Sequence, residues 1–257
     1  MLCNLTNILT QPPRPENWII EDFLAQGQVV CLAGEPGVGK SLLSYNLSMS
    51  IATGLPFLGL HTQPGRVLYF DEENSQIDLE AYLRWTWNGM GKPDLNTLSE
   101  NLHIEHFSLT EHPLSRWSFM AQKAAQHKPI LVVIDTATPA FDIKDENDNA
   151  EATRVIGQLR RVKAATGDGR TSMLIIKHAK FTHDASERRT MRGAKTWHGA
   201  VDGVLFHVGL VGRPRKHGLR PSQIEPDKIR AYGLKETLRI HPEWLEVRAS
   251  LRLSRLA

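Results

Sequence analysis

The octapeptide Gly34–Ser41, which reads Gly-Glu-Pro-Gly-Val-Gly-Lys-Ser, constrains this chain more than any other segment. It fits the pattern G-x-x-x-x-G-K-[ST], in which a glycine-rich turn points backbone N–H groups at phosphate oxygens. The apolar run from Gln28 to Ala33 predicts a buried strand before it, and the spacing of apolar residues from Leu42 to Ala52 predicts a helix after it. We therefore predict a strand, loop and helix that bind the phosphates of ATP.

Every residue of the loop Gly34–Ser41, and Leu42 directly after it, is expected to contact the nucleotide. Lys40 would reach the β- and γ-phosphate oxygens and act in catalysis, and the Ser41 hydroxyl would ligate Mg²⁺. ATP and Mg²⁺ are thus the predicted cofactors. The predicted nucleotide-binding residues of this segment are Gly34, Glu35, Pro36, Gly37, Val38, Gly39, Lys40, Ser41 and Leu42.

Asp135 closes the most continuously apolar run of the chain, Ile130–Ile134. A carboxylate at the carboxyl end of a buried parallel strand emerges beside the phosphate loop and can hold Mg²⁺ through water. We predict that Asp135 completes the metal and nucleotide site with Ser41. The sequence does not favour zinc, because the two cysteines, Cys3 and Cys31, are far apart and no histidine cluster accompanies them.

Three acids, Asp71-Glu72-Glu73, follow a second predicted strand, Arg66–Phe70. Hydrolysis of a γ-phosphate needs a base that orients water, and an acid at this strand end is suitably placed. Glu73 is the preferred base, although spacing alone does not separate it from Glu72.

His178 follows a further predicted strand, Met173–Ile176, and is placed where a catalytic polar side chain could respond to the γ-phosphate. The stretch 180–195 is rich in cationic side chains and poor in apolar ones, which predicts either a loop that grips nucleic-acid phosphates or a merely solvated loop. The candidate nucleic-acid contacts are Lys180, His183, Arg188, Arg189 and Lys195.

The strands alternate with helical patterns at Trp117–Gln126 and Ala150–Ala165, which predicts an α/β fold with a mostly parallel sheet flanked by helices. After Val204–Phe206 the β-like pieces become short, including Arg239–His241 and Trp244–Val247, so we expect an antiparallel C-terminal edge. One domain over 1–257, with an extended lead-in over 1–20, accounts for the chain.

Apolar residues make up 41% and charged residues 23% of the chain, which is typical of a globular protein with a substantial core. No run approaches the roughly 18 apolar residues of a membrane span, so we expect no membrane partner and a cytoplasmic protein. The net charge is only +3, but lysine and arginine outnumber acids about two to one after Glu187. This bias is compatible with a polyanionic partner.

Together these segments resemble the RecA-like hexameric ATPases of the plasmid RepA helicase type, which are related to DnaB helicases and RadA-like proteins. The resemblance covers most of the chain and rests on the order and spacing of five segments. They are Gly34–Ser41, Gly65–Glu73, Val132–Thr136, Ile175–His178 and Arg192–Lys195.

The resemblance implies that Glu73, rather than Glu72, is the base. It also implies that Arg192 reaches the γ-phosphate held by a neighbouring subunit, so that active sites lie between the subunits of a homo-oligomer, most simply a hexamer. The expected activity is a motor that moves along single-stranded DNA. Two alternatives remain open: a RecA- or RadA-like recombination ATPase, and a regulatory ATPase that switches a protein partner.

Overall fold

The computed structural model describes residues 5–10, 12, 17–106, 115–145, 147–167, 169–179, 191, 195–210, 220–230, 233–245 and 250–256. The strands are β1 (Trp18–Ile20), β2 (Leu24–Ala25), β3 (Val29–Gly34), β4 (Val67–Asp71), β5 (Leu102–His106), β6 (Leu131–Asp135), β7 (Ser172–His178), β8 (Gly203–Gly209), β9 (Ser222–Ile229), β10 (Leu238–Leu245) and β11 (Ser250–Leu256). The helices are α1 (Leu5–Thr10), α2 (Lys40–Thr53), α3 (Gln76–Gly89), α4 (Leu95–Asn101), α5 (Arg116–His127), α6 (Ala137–Ala140), α7 (Asn149–Ala165) and α8 (Lys195–Ala200).

One sheet of nine strands organises the described part of the chain, in the order β11-β10-β9-β8-β3-β7-β6-β4-β5. The strands from β8 to β5 in this order are parallel to their neighbours, and β9, β10 and β11 continue the sheet in antiparallel pairs. The predicted α/β class, with a mostly parallel sheet and an antiparallel C-terminal edge, is confirmed.

Both faces of the sheet are covered, because alternate residues of each central strand point to opposite sides. Ile134 and Ile175 face a core completed by α5, α7 and α8, whereas Val133 and Ile176 face the core beneath α2. A strand buried on both faces must be apolar throughout, which explains why β6 contains the most continuously apolar run of the sequence. The carboxyl ends of the parallel strands lie along one edge, beside the start of α2.

Two expectations differ from the structure. The lead-in was expected to be extended, but Leu5–Thr10 is helical, since Leu5, Ile8 and Leu9 recur at helical spacing before Pro12. Of the two β pieces expected near the C-terminus, the first and the described residues of the second, Trp244 and Leu245, belong to a single strand, β10, which contains Pro242. β9 pairs with β10 only from Leu238 to Ile240, so proline breaks no bond to that neighbour.

Candidate active site

The phosphate loop connects β3 to α2 in the way the sequence predicts. Gly39 has φ 96°, a left-handed conformation that favours glycine, and it is the N-cap residue directly before α2. Gly34 is fixed differently: a Cβ there would lie 2.6 Å from the carbonyl oxygen of His207 on β8. The loop therefore depends on glycine both for its turn and for its close approach to the sheet, and it presents the N-terminus of α2 to solvent.

Lys40 is buried, and its Nζ donates to the carbonyl oxygens of Gly34 (3.1 Å) and Glu35 (3.0 Å). Burial lowers the pKa of Lys40, and the nearby acids Glu73, Asp135 and Glu35 act in the opposite direction. The ammonium group is thus held against the backbone of the loop, near enough to these three carboxylates to feel their charge.

The remaining loop residues differ in their exposure. Pro36 is exposed at the tip of the loop, whereas Val38 is buried and packs toward Leu42 and His207. Leu42 is also buried and lines the cleft described below.

Asp135, at the end of β6, is completely buried. Its Oδ2 accepts a hydrogen bond from the Tyr69 hydroxyl at 2.7 Å, while its Oδ1 has no hydrogen-bond partner among the described residues. Burial raises the pKa of Asp135 to about 7; the neighbouring hydroxyls of Tyr69 and Ser41 oppose this increase, and the charges of Asp71 and Glu73 add to it. A buried carboxylate oxygen without a partner is what a divalent cation would stabilise.

Glu73 follows β4 and is much more accessible, with 41% of its side chain exposed. Its Oε1 lies 3.5 Å from Nε2 of His178, at the end of β7. The contact with His178 lowers the pKa of Glu73 against the effect of burial, and Lys40 and Thr136 contribute in the same direction. Glu73 is therefore an ionised, solvent-facing carboxylate beside Lys40 at physiological pH.

A cleft of about 410 Å³ joins the phosphate loop to the first three turns of α3. Of the two acids that the sequence offers as the base, Glu73 lines this cleft and Glu72 does not. The lining residues are Gly37, Gly39, Lys40, Ser41, Leu42, Glu73, Asn74, Asp78, Tyr82 and Trp85.

The sequence matches an AAA domain over residues 4–182, which is more than half of the chain. The chain belongs to this AAA domain family. It is also 28% identical over 188 residues to the DNA repair protein RadA of Aquifex aeolicus (strain VF5), an alignment that covers 72% of this chain and 35% of RadA. The chain thus spans about a third of the length of that relative. Family and fold together identify a RecA-like P-loop ATPase.

Sequence reasoning missed four side chains of the AAA domain that line the cleft: Asn74, Asp78, Tyr82 and Trp85. A helical spacing of 78, 82 and 85 places three of them on one face of α3, so the pattern was present in the sequence. The spacing alone did not identify these residues as part of the site, because that face of α3 reaches the site only through the packing of α3 beside the phosphate loop.

Several residues that the sequence predicts to contact nucleotide or nucleic acid lie outside the described part of the chain. They are Arg192, Lys180, His183, Arg188 and Arg189. Lys195 begins α8, and its side chain is not described. Among the described residues, no helix is long and apolar enough to cross a membrane.

Proposed function

We propose that the protein hydrolyses ATP in this cleft, with Glu73 as the base that orients the attacking water. The observation that carries the proposal is the position of Glu73: its carboxylate is open to solvent, contacts His178 and lies in the same cleft as Lys40 and Ser41. A base needs an accessible, ionised oxygen near the γ-phosphate, and the lowered pKa of Glu73 keeps it ionised. Lys40 would bind phosphate oxygens, and His178 would hold Glu73 in place.

The cleft also has room for the rest of a nucleotide. Tyr82 and Trp85 offer aromatic faces on which a base can stack, and Asp78 offers an acceptor for an exocyclic amine. All three lie on α3, which begins three residues after Glu73. We assign them to the base, and the backbone N–H groups of Gly37–Leu42 to the phosphates.

Ser41 and Asp135 are suited to hold Mg²⁺. Oδ1 of Asp135 is buried and has no hydrogen-bond partner among the described residues. Mg²⁺ prefers hard oxygen donors of this kind. When bound, the cation supplies positive charge that neutralises the phosphate oxygens during transfer. The roles of Ser41 and Asp135 are to orient it beside the loop.

We further propose that hydrolysis powers movement along single-stranded DNA in a homo-oligomeric ring of the RepA helicase type. The support is the resemblance in the order of the five motifs, the basic C-terminal quarter, and a relative that is named as a DNA repair protein. In this proposal Arg192 contacts the γ-phosphate of a neighbouring subunit. Lys180, His183, Arg188, Arg189 and Lys195 contact the DNA backbone.

The proposal is tested by measuring steady-state ATP hydrolysis with and without single-stranded DNA. Light scattering records the mass of the particle in the same samples. The native chain should be stimulated severalfold by DNA, and Arg192→Ala should bind ATP but lose turnover. Slow turnover that is indifferent to DNA and to Arg192→Ala would contradict the motor and favour a regulatory ATPase acting on a protein partner.

The similarity to RadA supports a second candidate, a recombination ATPase that pairs DNA strands. Electron microscopy of the DNA complex separates the two candidates. Closed rings that unwind a forked duplex support the helicase, whereas continuous filaments that exchange strands without unwinding a fork support the recombination ATPase.

A further inference from the structure

The carboxylate of Asp71, at the end of β4, is almost completely buried and has no place in the reaction described above. Its Oδ1 accepts hydrogen bonds from the backbone N–H groups of Glu73 (3.3 Å) and Asn74 (3.1 Å). The side-chain amide of Asn74 donates to both oxygens at 3.1 Å. Asp71 therefore fixes the backbone from which the Glu73 side chain extends.

The other side of Asp71 is tied to the phosphate-binding helix. The hydroxyl of Tyr45, on α2, donates to Oδ2 of Asp71 and accepts from the amide of Asn74 at 3.2 Å. Tyr45 is fully buried and stacks on Tyr69, with ring centroids 4.8 Å apart. Because hydrogen bonds to a buried carboxylate are among the strong ones in a protein, this contact gives α2 and the strand end a fixed relative position.

The turn is also braced from its far side. Asp71 lies opposite His106 in the ladder between β4 and β5, and Nε2 of His106 lies 2.9 Å from the carbonyl oxygen of Asn74. The turn that carries Glu73 is thus held at Asp71 and at Asn74, while the side chain of Glu73 extends into the cleft.

We propose that Tyr45, Asp71 and Asn74 are positioning residues that set the distance between Glu73 and the nucleotide held by α2. This rests on the proposed function of Glu73 as base. A displacement of about 1 Å in a reacting group can cost about 100-fold in rate, so a turn tied directly to the phosphate-binding helix is a means of holding that distance.

Tyr45→Phe removes one hydroxyl and keeps the stacked ring, and Asp71→Asn keeps the shape but replaces an acceptor by a donor. We expect turnover at saturating ATP and Mg²⁺ to fall about 10-fold for Tyr45→Phe and about 10- to 100-fold for Asp71→Asn. The dissociation constant of a fluorescent ATP analogue should stay within about twofold, since neither residue lines the nucleotide cleft. Thermal melting checks that each variant is folded.

Ser48→Ala is the matched control. Ser48 lies on the same helix, three residues after Tyr45, and its buried hydroxyl has no hydrogen-bond partner among the described residues. Removing it should leave both turnover and nucleotide affinity unchanged.

The effect on Glu73 is tested by combining the changes. If Tyr45 acts through Glu73, then Tyr45→Phe should lower the residual turnover of Glu73→Gln no further, measured with radiolabelled ATP in a single turnover. Three results would each overturn the inference while leaving Glu73 as the base. They are a further loss of turnover in the double variant as large as that of Tyr45→Phe alone, a loss of nucleotide affinity as large as the loss of turnover, and unchanged turnover in Tyr45→Phe. Undiminished turnover in Glu73→Gln alone would instead refute the proposed function, and the inference with it.

Discussion

Strands β4 and β6 lie side by side and end in register at Asp71 and Asp135, yet the two ends are built differently. At the end of β4 the buried carboxylate is occupied by hydrogen bonds, and the next acid but one, Glu73, is free to face the cleft. At the end of β6 the carboxylate is itself the buried group, with one oxygen bound to Tyr69 and the other without a partner.

One edge of the sheet therefore carries two carboxylates in different environments, which gives them different chemical properties. Contact with His178 lowers the pKa of Glu73 against the effect of burial, which suits a base, whereas burial raises the pKa of Asp135, which suits a group that becomes ionised when a cation approaches. The two strand ends would divide the work of hydrolysis, with water at β4 and the cation at β6.

The largest effect should come from Glu73→Gln, which keeps the size of the side chain but removes the base. We expect turnover to fall by about 10²- to 10⁴-fold with nucleotide affinity kept within about threefold. Glu72→Gln is the matched control at the neighbouring position and should retain most of the turnover, measured by phosphate release. Equal losses in the two variants would place the base elsewhere.

Asp135→Asn should weaken nucleotide binding only when Mg²⁺ is present. The amide cannot provide a charged oxygen, so we expect about a 10- to 100-fold loss of affinity for Mg²⁺-ADP, and little change in EDTA, by fluorescence titration. A similar loss under both conditions would indicate that Asp135 supports the fold of the loop rather than the cation.

The same variant predicts a pH effect on stability. The folded-state pKa of Asp135 is about 7, above the ordinary value of 3.8, so the unfolded chain loses this proton first as the pH rises. Stability is therefore lost between about pH 4 and pH 7 by an amount on the order of a few kcal/mol.

In EDTA without nucleotide, Asp135→Asn should melt at a higher temperature than the native chain at pH 8, and the difference should shrink at pH 5. Because all other titrating groups are shared, comparing the two melting curves isolates Asp135. Parallel pH profiles would show that its carboxylate titrates normally.

A smaller effect is expected for His178→Gln. His178 is the main contact that lowers the pKa of Glu73, so its loss should raise that pKa and move the acidic limb of the pH–rate profile to higher pH. Turnover near pH 8 should fall less than about tenfold, because Glu73 is still ionised there. A uniform loss at every pH would mean that His178 contacts the phosphate rather than tuning Glu73.

Much of this arrangement could be predicted from local patterns. The phosphate loop and β6 depend on contiguous residues, glycines in one case and an apolar run ending in Asp135 in the other, so the sequence alone indicated both. Glu73 was separated from Glu72 only by the family resemblance, since the choice depends on which side chain leaves the turn toward the cleft.

The rest depends on contacts between distant segments. The sequence analysis did not single out Tyr45 and identified Asp71 only as an acid at a strand end, because nothing in the local spacing shows that the two side chains meet. The half-buried edge strand β5 was missed although its first four residues, Leu-His-Ile-Glu, alternate between apolar and polar, because an alternation this short is a weak signal. The cleft-lining face of α3 was missed because the packing of α3 against α2 determines its position.

A Mg²⁺ titration of ATP turnover in the native chain, Glu73→Gln and Asp135→Asn tests the division of labour most directly. The account predicts that Asp135→Asn regains much of the native turnover as Mg²⁺ is raised, while Glu73→Gln stays inactive at every concentration. Recovery of Glu73→Gln by Mg²⁺, together with an Asp135→Asn that no concentration restores, would contradict it.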